Sequence, residues 1–257
     1  MAPGAPRATS HFHGSRLVRL LTELSHGDLV AVNTKPSLAE SLGQWLGWAD
    51  AIALSAALGG GSAVTAQGSP QMPGWVQAVS SDAAGVKATL ARAVATDEVL
   101  APRPVRATPG LVAGPTAGPM APLDSVTAFA PLRRRHAAHQ QAMAASVAPL
   151  RARVRAALTA ASPQLGRLAA LDAVMEEALG ARERHLLSSV TPCLDTHFDR
   201  RCRAHHQQAG PTQAPDATWW AERAEEVRAV LLAELDIRWQ PVDGLLRALD
   251  PEITRSA

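Results

Sequence analysis

Residues 129–158 read FAPLRRRHAAHQQAMAASVAPLRARVRAAL. Phe129, Leu132, His136, His139, Met143, Val147, Leu150, Val154 and Leu158 recur at steps of three and four. That spacing puts side chains on one face of an α-helix, whereas a strand would need strict alternation. A stripe kept this long predicts a single long helix with one face in a core. Pro149 lies inside it and is expected to kink or break it, because proline has no N–H to donate and its ring crowds the preceding turn.

The same rhythm continues toward the C-terminus. Ser162-Pro163 reads as a restart, a cap followed by proline at the first helical position. Leu168, Leu171, Met175 and Leu179 carry the stripe onward, with Leu186 and Val190 beyond. Pro192 is expected to bend this helix, and QQAGPTQAP (207–215) to end it. Asp216 is placed to cap a last helix, whose stripe is Val227, Leu231, Leu235, Trp239, Val242, Leu246 and Leu249, interrupted by Pro241. Three long helices joined by short turns predict an antiparallel all-α bundle over 124–250, followed by a tail at 251–257.

Upstream, the Pro/Gly-rich segment 97–123 is the expected boundary, since its stretch APRPVRATPGLVAGPTAGPMAP (101–122) cannot propagate a helix. Residues 1–14 read as a disordered N-terminus and 15–96 as a smaller helical region. In that region Ser15 is a candidate N-cap for SRLVRLLTEL (15–24). Ser37 and Glu40 have capping-box spacing. They open an expected helix over 37–58 with Leu38, Leu42, Trp45, Ala49, Ile52 and Ala56 on one stripe. Trp45 then belongs to the core. Trp48 sits toward the flank, either a partly buried edge or an exposed anchor for a partner, a use tryptophan favours. GGGSAVTAQGSPQMPG (59–74) reads as a linker, and a weak helix follows at about 81–96.

Composition agrees with this class. Alanine supplies much of the apolar content, tyrosine is absent, and there are three phenylalanines and six tryptophans. Alanine costs nothing in a helix, while strands prefer branched and aromatic side chains. The net charge of +2 is too small to mark a polybasic protein. Two cysteines cannot build a disulfide framework. The N-terminus lacks the apolar run of a signal peptide, and the longest apolar stretch is too short to span a bilayer. A cytoplasmic protein that is not membrane-embedded is the expectation.

Charge distribution is the most informative signal. Between Asp124 and Asp172 there is no acid, yet Arg133, Arg134, Arg135, Arg151, Arg153, Arg155 and Arg167 occur there. Such a face could track phosphates, which makes Arg133, Arg134, Arg135, Arg151 and Arg155 candidate anion or DNA contacts. Residues 216–252 are the converse, with nine acids against four arginines. The two segments could instead neutralise each other across the bundle. His136 and His139 lie on the apolar stripe. They are either core histidines with one polar partner or a proton-sensitive pair, since histidine titrates near neutrality. In CLDTHFDRRCRAHH (193–206) the spacing argues against zinc. Cys193 and His197 share one helical face, and Cys202 and His206 lie about half a turn away, so four ligands do not converge. No metal or cofactor is expected. No phosphate-binding loop, nucleophile elbow or other catalytic grammar is present, and the expected activity is non-enzymatic.

Five segments together carry a family pattern: RLVRLLTEL, LGQWLGWADAIALSAAL, PLRRRHAAHQQAMAASVAPLRARVRAAL, LAALDAVMEEALGARERHLLSSV and LLAELDIRWQPVDGLLRAL. They resemble the proteobacterial domain-of-unknown-function family 3348. Members of that family look like components of type III Zorya anti-phage defence loci, encoded beside a proton-driven membrane motor and a second small accessory protein. The resemblance implies a cytosolic accessory or effector subunit, membrane-proximal through its motor partner. Its partners would be the motor's cytoplasmic tail or the second accessory protein. It brings no assigned site residues. The alternative is a DNA-binding protein using the arginine-rich helix 131–155.

Overall fold

The computed structural model describes residues 15–25, 45–59, 74–100, 125–210 and 215–249, with the backbone alone for 125–128. Every regular element among them is helical. In chain order they are α1 (Arg16–Leu24), α2 (Trp48–Gly59), α3 (Trp75–Ala95), α4 (Ser125–Ala161), α5 (Pro163–Ser188), α6 (Val190–Ala209) and α7 (Ala217–Leu249). Their starts follow capping chemistry. The Ser15 hydroxyl accepts from the Val18 N–H, Ser162 accepts from Leu165 N–H with Pro163 in the first turn, and Asp216 accepts from Trp219 N–H. Each satisfies one of the donors that a helix leaves unpaired at its N-terminus.

α4 is the spine, packed against α5, α6 and α7. All nine stripe positions of the 129–158 segment are buried except His139, which is mostly covered. On α7, Val227, Leu231, Leu235, Trp239, Val242 and Leu249 are buried and Leu246 packs at the margin. The prolines do not end these helices: Pro131 and Pro149 lie inside α4 and Pro241 inside α7. A buried face on either side of the proline offsets the one lost hydrogen bond.

The path through Pro192 differs from a simple bend. The helix stops at Ser188, Ser189 forms a turn, and α6 restarts at Val190 with Pro192 in its first turn. Proline has no N–H for the Ser188 carbonyl and its ring crowds that group, so the break falls just before it. The register also shifts there. Leu186, expected on the stripe, is 54% exposed, and Leu187 is buried in its place.

The N-terminal region shares the bundle's core. Leu17 of α1, Ala83, Leu90 and Val94 of α3, and Leu100 are part of the same buried cluster as α4 and α7. α3 lies on α7 and α4, and α1 on α7 and α6. α3 starts at Trp75, six residues earlier than expected, because Gly74 at φ +87° turns the chain into it.

The expected continuous helix over 37–58 is corrected where it is described. Leu46 and Gly47 are not helical, and α2 begins at Trp48. Asp50, three residues past Gly47, reaches back to accept its N–H at 2.9 Å, which is the acidic half of a capping box. Trp45 and Trp48 therefore lie on either side of a helix start. The Ser37–Glu40 cap, the 1–14 segment, most of both linkers and the tail fall outside the described residues.

Candidate functional site

Three arrangements of chemistry-bearing residues stand out, and the candidate arginines run through the first. Arg133 Nε donates to Asp195 at 3.0 Å, Arg135 pairs with Asp97 at 3.2 Å, and Arg153 reaches Asp82 at 2.8 Å. Arg151 binds Asp172 through Nε and Nη2 at 2.8 and 2.6 Å, and Arg155 binds Asp172 and Glu176. Burial alone would lower the Arg155 guanidinium, but its hydrogen bonds and proximity to Glu176 and Asp172 hold it above the ordinary arginine range. Five of the seven arginines are thus paired with carboxylates of the same chain. Their acids come from α3, α5, α6 and the 97–100 turn, not from the acidic α7 to which sequence balance pointed. Arg134 is exposed and makes no ion pair among the described residues.

Second is a polar network through the buried centre. His136 Nε2 lies 2.9 Å from Glu234 Oε1, with the side chains 1% and 0% exposed. Gln140 donates to the other Glu234 oxygen at 2.8 Å and to the Leu187 carbonyl at 3.2 Å, and Thr191 Oγ1 stands 3.1 Å from His136 Nδ1. α4, α7 and the two helices that meet at Ser189 are therefore tied by one set of hydrogen bonds. A buried polar set of this kind is tolerated because its groups are mutually satisfied.

His139 serves a different neighbour. Its Nε2 is 2.8 Å from Asp97 Oδ2, while Val99 N–H donates to Oδ1. Burial pushes the Asp97 carboxyl up, but His139, the Val99 N–H and Arg135 together hold it below the usual aspartate range. Arg228 also donates to the Leu100 carbonyl. The 97–100 turn is thus clamped to α4 and α7. His136 is buried and His139 mostly covered, each with a carboxylate partner.

The third arrangement is the surface of α2. It has no buried residue; Trp48 is 83%, Ile52 55% and Leu58 64% exposed. Its one charge, Asp50, is engaged at the helix start. Trp45 does not reach the core as expected. It is half-buried, with the Arg182 guanidinium 4.5 Å over its ring, and fixes this end of α2 to α5.

In the Cys/His segment the ligand types are spent separately. His197 is bonded to the Leu24 carbonyl and Glu226, and burial pushes both the Cys193 and Cys202 thiols up. No group of metal-ligating side chains converges among the described residues. Among the described residues, an open groove of about 500 Å³ lies between α3 and α4, and another of about 570 Å³ between α1 and α7. Neither is lined by a histidine or a cysteine. No described helix is long and apolar enough to cross a membrane.

The model of a family described as "Protein of unknown function (DUF3348)" matches residues 4–251. No curated protein and no solved structure matches the chain.

Proposed function

The chain belongs to this family of unknown function, and within it we propose a non-enzymatic docking subunit that works through helical protein–protein contacts. The observation that carries this reading is α2, an almost uncharged helix presenting Trp48, Ile52 and Leu58 to solvent. A helix of twelve residues gains little stability by itself in water. α2 lies on α5 with Leu54 and Ala57 half-covered, which leaves Trp48, Ile52 and Leu58 exposed to a partner, and the tryptophan at its start is the side chain best suited to anchor one.

The biological setting follows from the resemblance to type III Zorya loci. There the partner is the cytoplasmic tail of a proton-driven membrane motor or the second accessory protein, and the role is an accessory or effector subunit in anti-phage defence. Direct DNA binding through Arg133, Arg134, Arg135, Arg151 and Arg155 is the weaker reading, since four of the five are bonded to carboxylates of the same chain.

The test is plaque formation on cells carrying the complete locus with either the natural chain or a Trp48→Asp/Ile52→Asp variant. Purified variant with unchanged helicity, lost protection, and lost co-purification with the tagged motor tail or accessory protein are expected. Full protection by the folded variant would remove α2 as the docking element.

A further inference from the structure

α1 is nine residues long and buries only Leu17 completely, with Leu20, Leu21 and Leu24 packed at the margin of the core, so what grips its ends adds to how it is held. At its C-terminal end the grip is His197 of α6. His197 Nδ1 lies 2.8 Å from the Leu24 carbonyl, and Nε2 lies 3.0 Å from Glu226 Oε2 on α7. A carbonyl oxygen only accepts, so Nδ1 must carry a proton. An ionised carboxylate also only accepts, so Nε2 must carry one too.

Glu226 is held ionised. Burial pushes its carboxyl up, but the hydrogen bond from His197 and the charge of Arg223 outweigh that and keep it below the ordinary glutamate range. The two bonds coexist only with His197 as an imidazolium. The surroundings suit that charge: the ring is 4% exposed, Glu226 opposes it, and it stands at the carbonyl end of α1, where the helix dipole favours a cation.

The other charged groups around it are of two kinds. Arg223 binds both Glu226 oxygens and Glu222 from α7, and Arg200 Nη1 approaches the same Leu24 carbonyl at 3.5 Å from α6. Arg201 of α6 and Glu23 of α1 line the adjoining groove. Of the side-chain types in this set, arginine and glutamate hold one charge state around neutrality, and histidine is the type whose charge can change between about pH 5 and 8.

We propose that His197 is a proton-dependent latch, holding α1 on the bundle while it is doubly protonated and loosening it as the pH rises. A neutral ring keeps at most one of these two bonds. With the proton on Nδ1 the Nε2 lone pair faces a carboxylate, and with it on Nε2 the Nδ1 lone pair faces a carbonyl. Both are repulsive. Release of α1 opens the groove in which Leu20 and Leu24 lie against Ala229 and Val230. This inference is independent of the docking role of α2.

The experiment is hydrogen exchange of the full-length chain between about pH 6 and 8.5, corrected for intrinsic exchange, with α1 compared to α4 in the same sample. The protection of α1 relative to α4 is expected to fall about tenfold across that range, the upper scale of a partly buried histidine at a helix C-terminus. In His197→Gln it should be low and independent of pH, with α4 unchanged. Glu226→Gln is the second variant. Its amide can accept from the ring or donate to it, so the wild-type pH profile should flatten even if His197→Gln fails to fold. A wild-type ratio constant across the range, or an unaltered profile in Glu226→Gln, would overturn the latch.

Discussion

His136 and Glu234 face each other at 2.9 Å in the middle of the bundle, each almost fully removed from solvent. Removing one partner of a buried ionisable pair leaves the other polar group stranded, whereas replacing both with apolar side chains need not cost much. Glu234→Leu or His136→Leu alone is therefore expected to lower unfolding free energy by about 3–5 kcal/mol. The double His136→Leu/Glu234→Leu variant should lose distinctly less than the sum. Urea unfolding of the four proteins measures the coupling. Additive losses would mean that the contact contributes nothing beyond the space it fills.

The Asp97 clamp gives a pH prediction with a definite sign. Its folded carboxyl titrates below the ordinary value of 3.8. The stabilisation is therefore present above the unfolded pKa and is lost as pH falls through the folded one. Glu226, also held below its ordinary value of 4.5, acts in the same direction. Thermal stability should decline as pH drops below about 4.5, where unfolded carboxylates take up protons more readily than these two. Asp97→Asn should flatten that decline. An Asp97→Asn protein with the wild-type acid profile would show that the clamp is not its source.

Trp45 and Trp48 should respond differently to truncation. Trp48→Ala removes a side chain that touches little, so a change within about 0.5 kcal/mol is expected. Trp45→Ala loses partial burial and the Arg182 contact, for about 1–2 kcal/mol. Chemical denaturation of both variants checks this. Equal, large losses would place Trp48 in a core.

Much of this was readable from spacing. The period of the 129–158 segment gave the spine, its buried face and the two histidines on it, because a long periodic segment leaves one face to bury. Ser15, Ser162 and Asp216 announced their helices through side chains that accept from the next turn. What spacing could not give was tertiary pairing. The acids that meet the arginines sit on four separate elements, and their match depends on which helices become neighbours. The start of α2 was in fact written locally, as Gly47 followed by Asp50 at the fourth position, but the stronger-looking apolar stripe ran across it. His197 was visible as a histidine beside cysteines in a spacing that argued against zinc and pointed to no other partner. Two of its partners lie 173 and 29 residues away.

The arginine helix supplies the last prediction. Binding phosphate through Arg133, Arg135, Arg151 or Arg155 would require breaking bonds to Asp195, Asp97, Asp172 or Glu176, whose carboxylates would then be left without their cation. The exchange replaces one charge-assisted contact by another and so gains little. The exposed Arg134 by itself accounts for about one unit of log–log salt slope. Fluorescence anisotropy with labelled single- and double-stranded DNA over a salt series is therefore expected to show a shallow slope. Arg133→Glu/Arg134→Glu/Arg135→Glu should chiefly lower stability, because Asp195 and Asp97 would then face like charge. A slope steeper than about −3, abolished in that variant, would mean the ion pairs open and would restore the helix as a DNA contact.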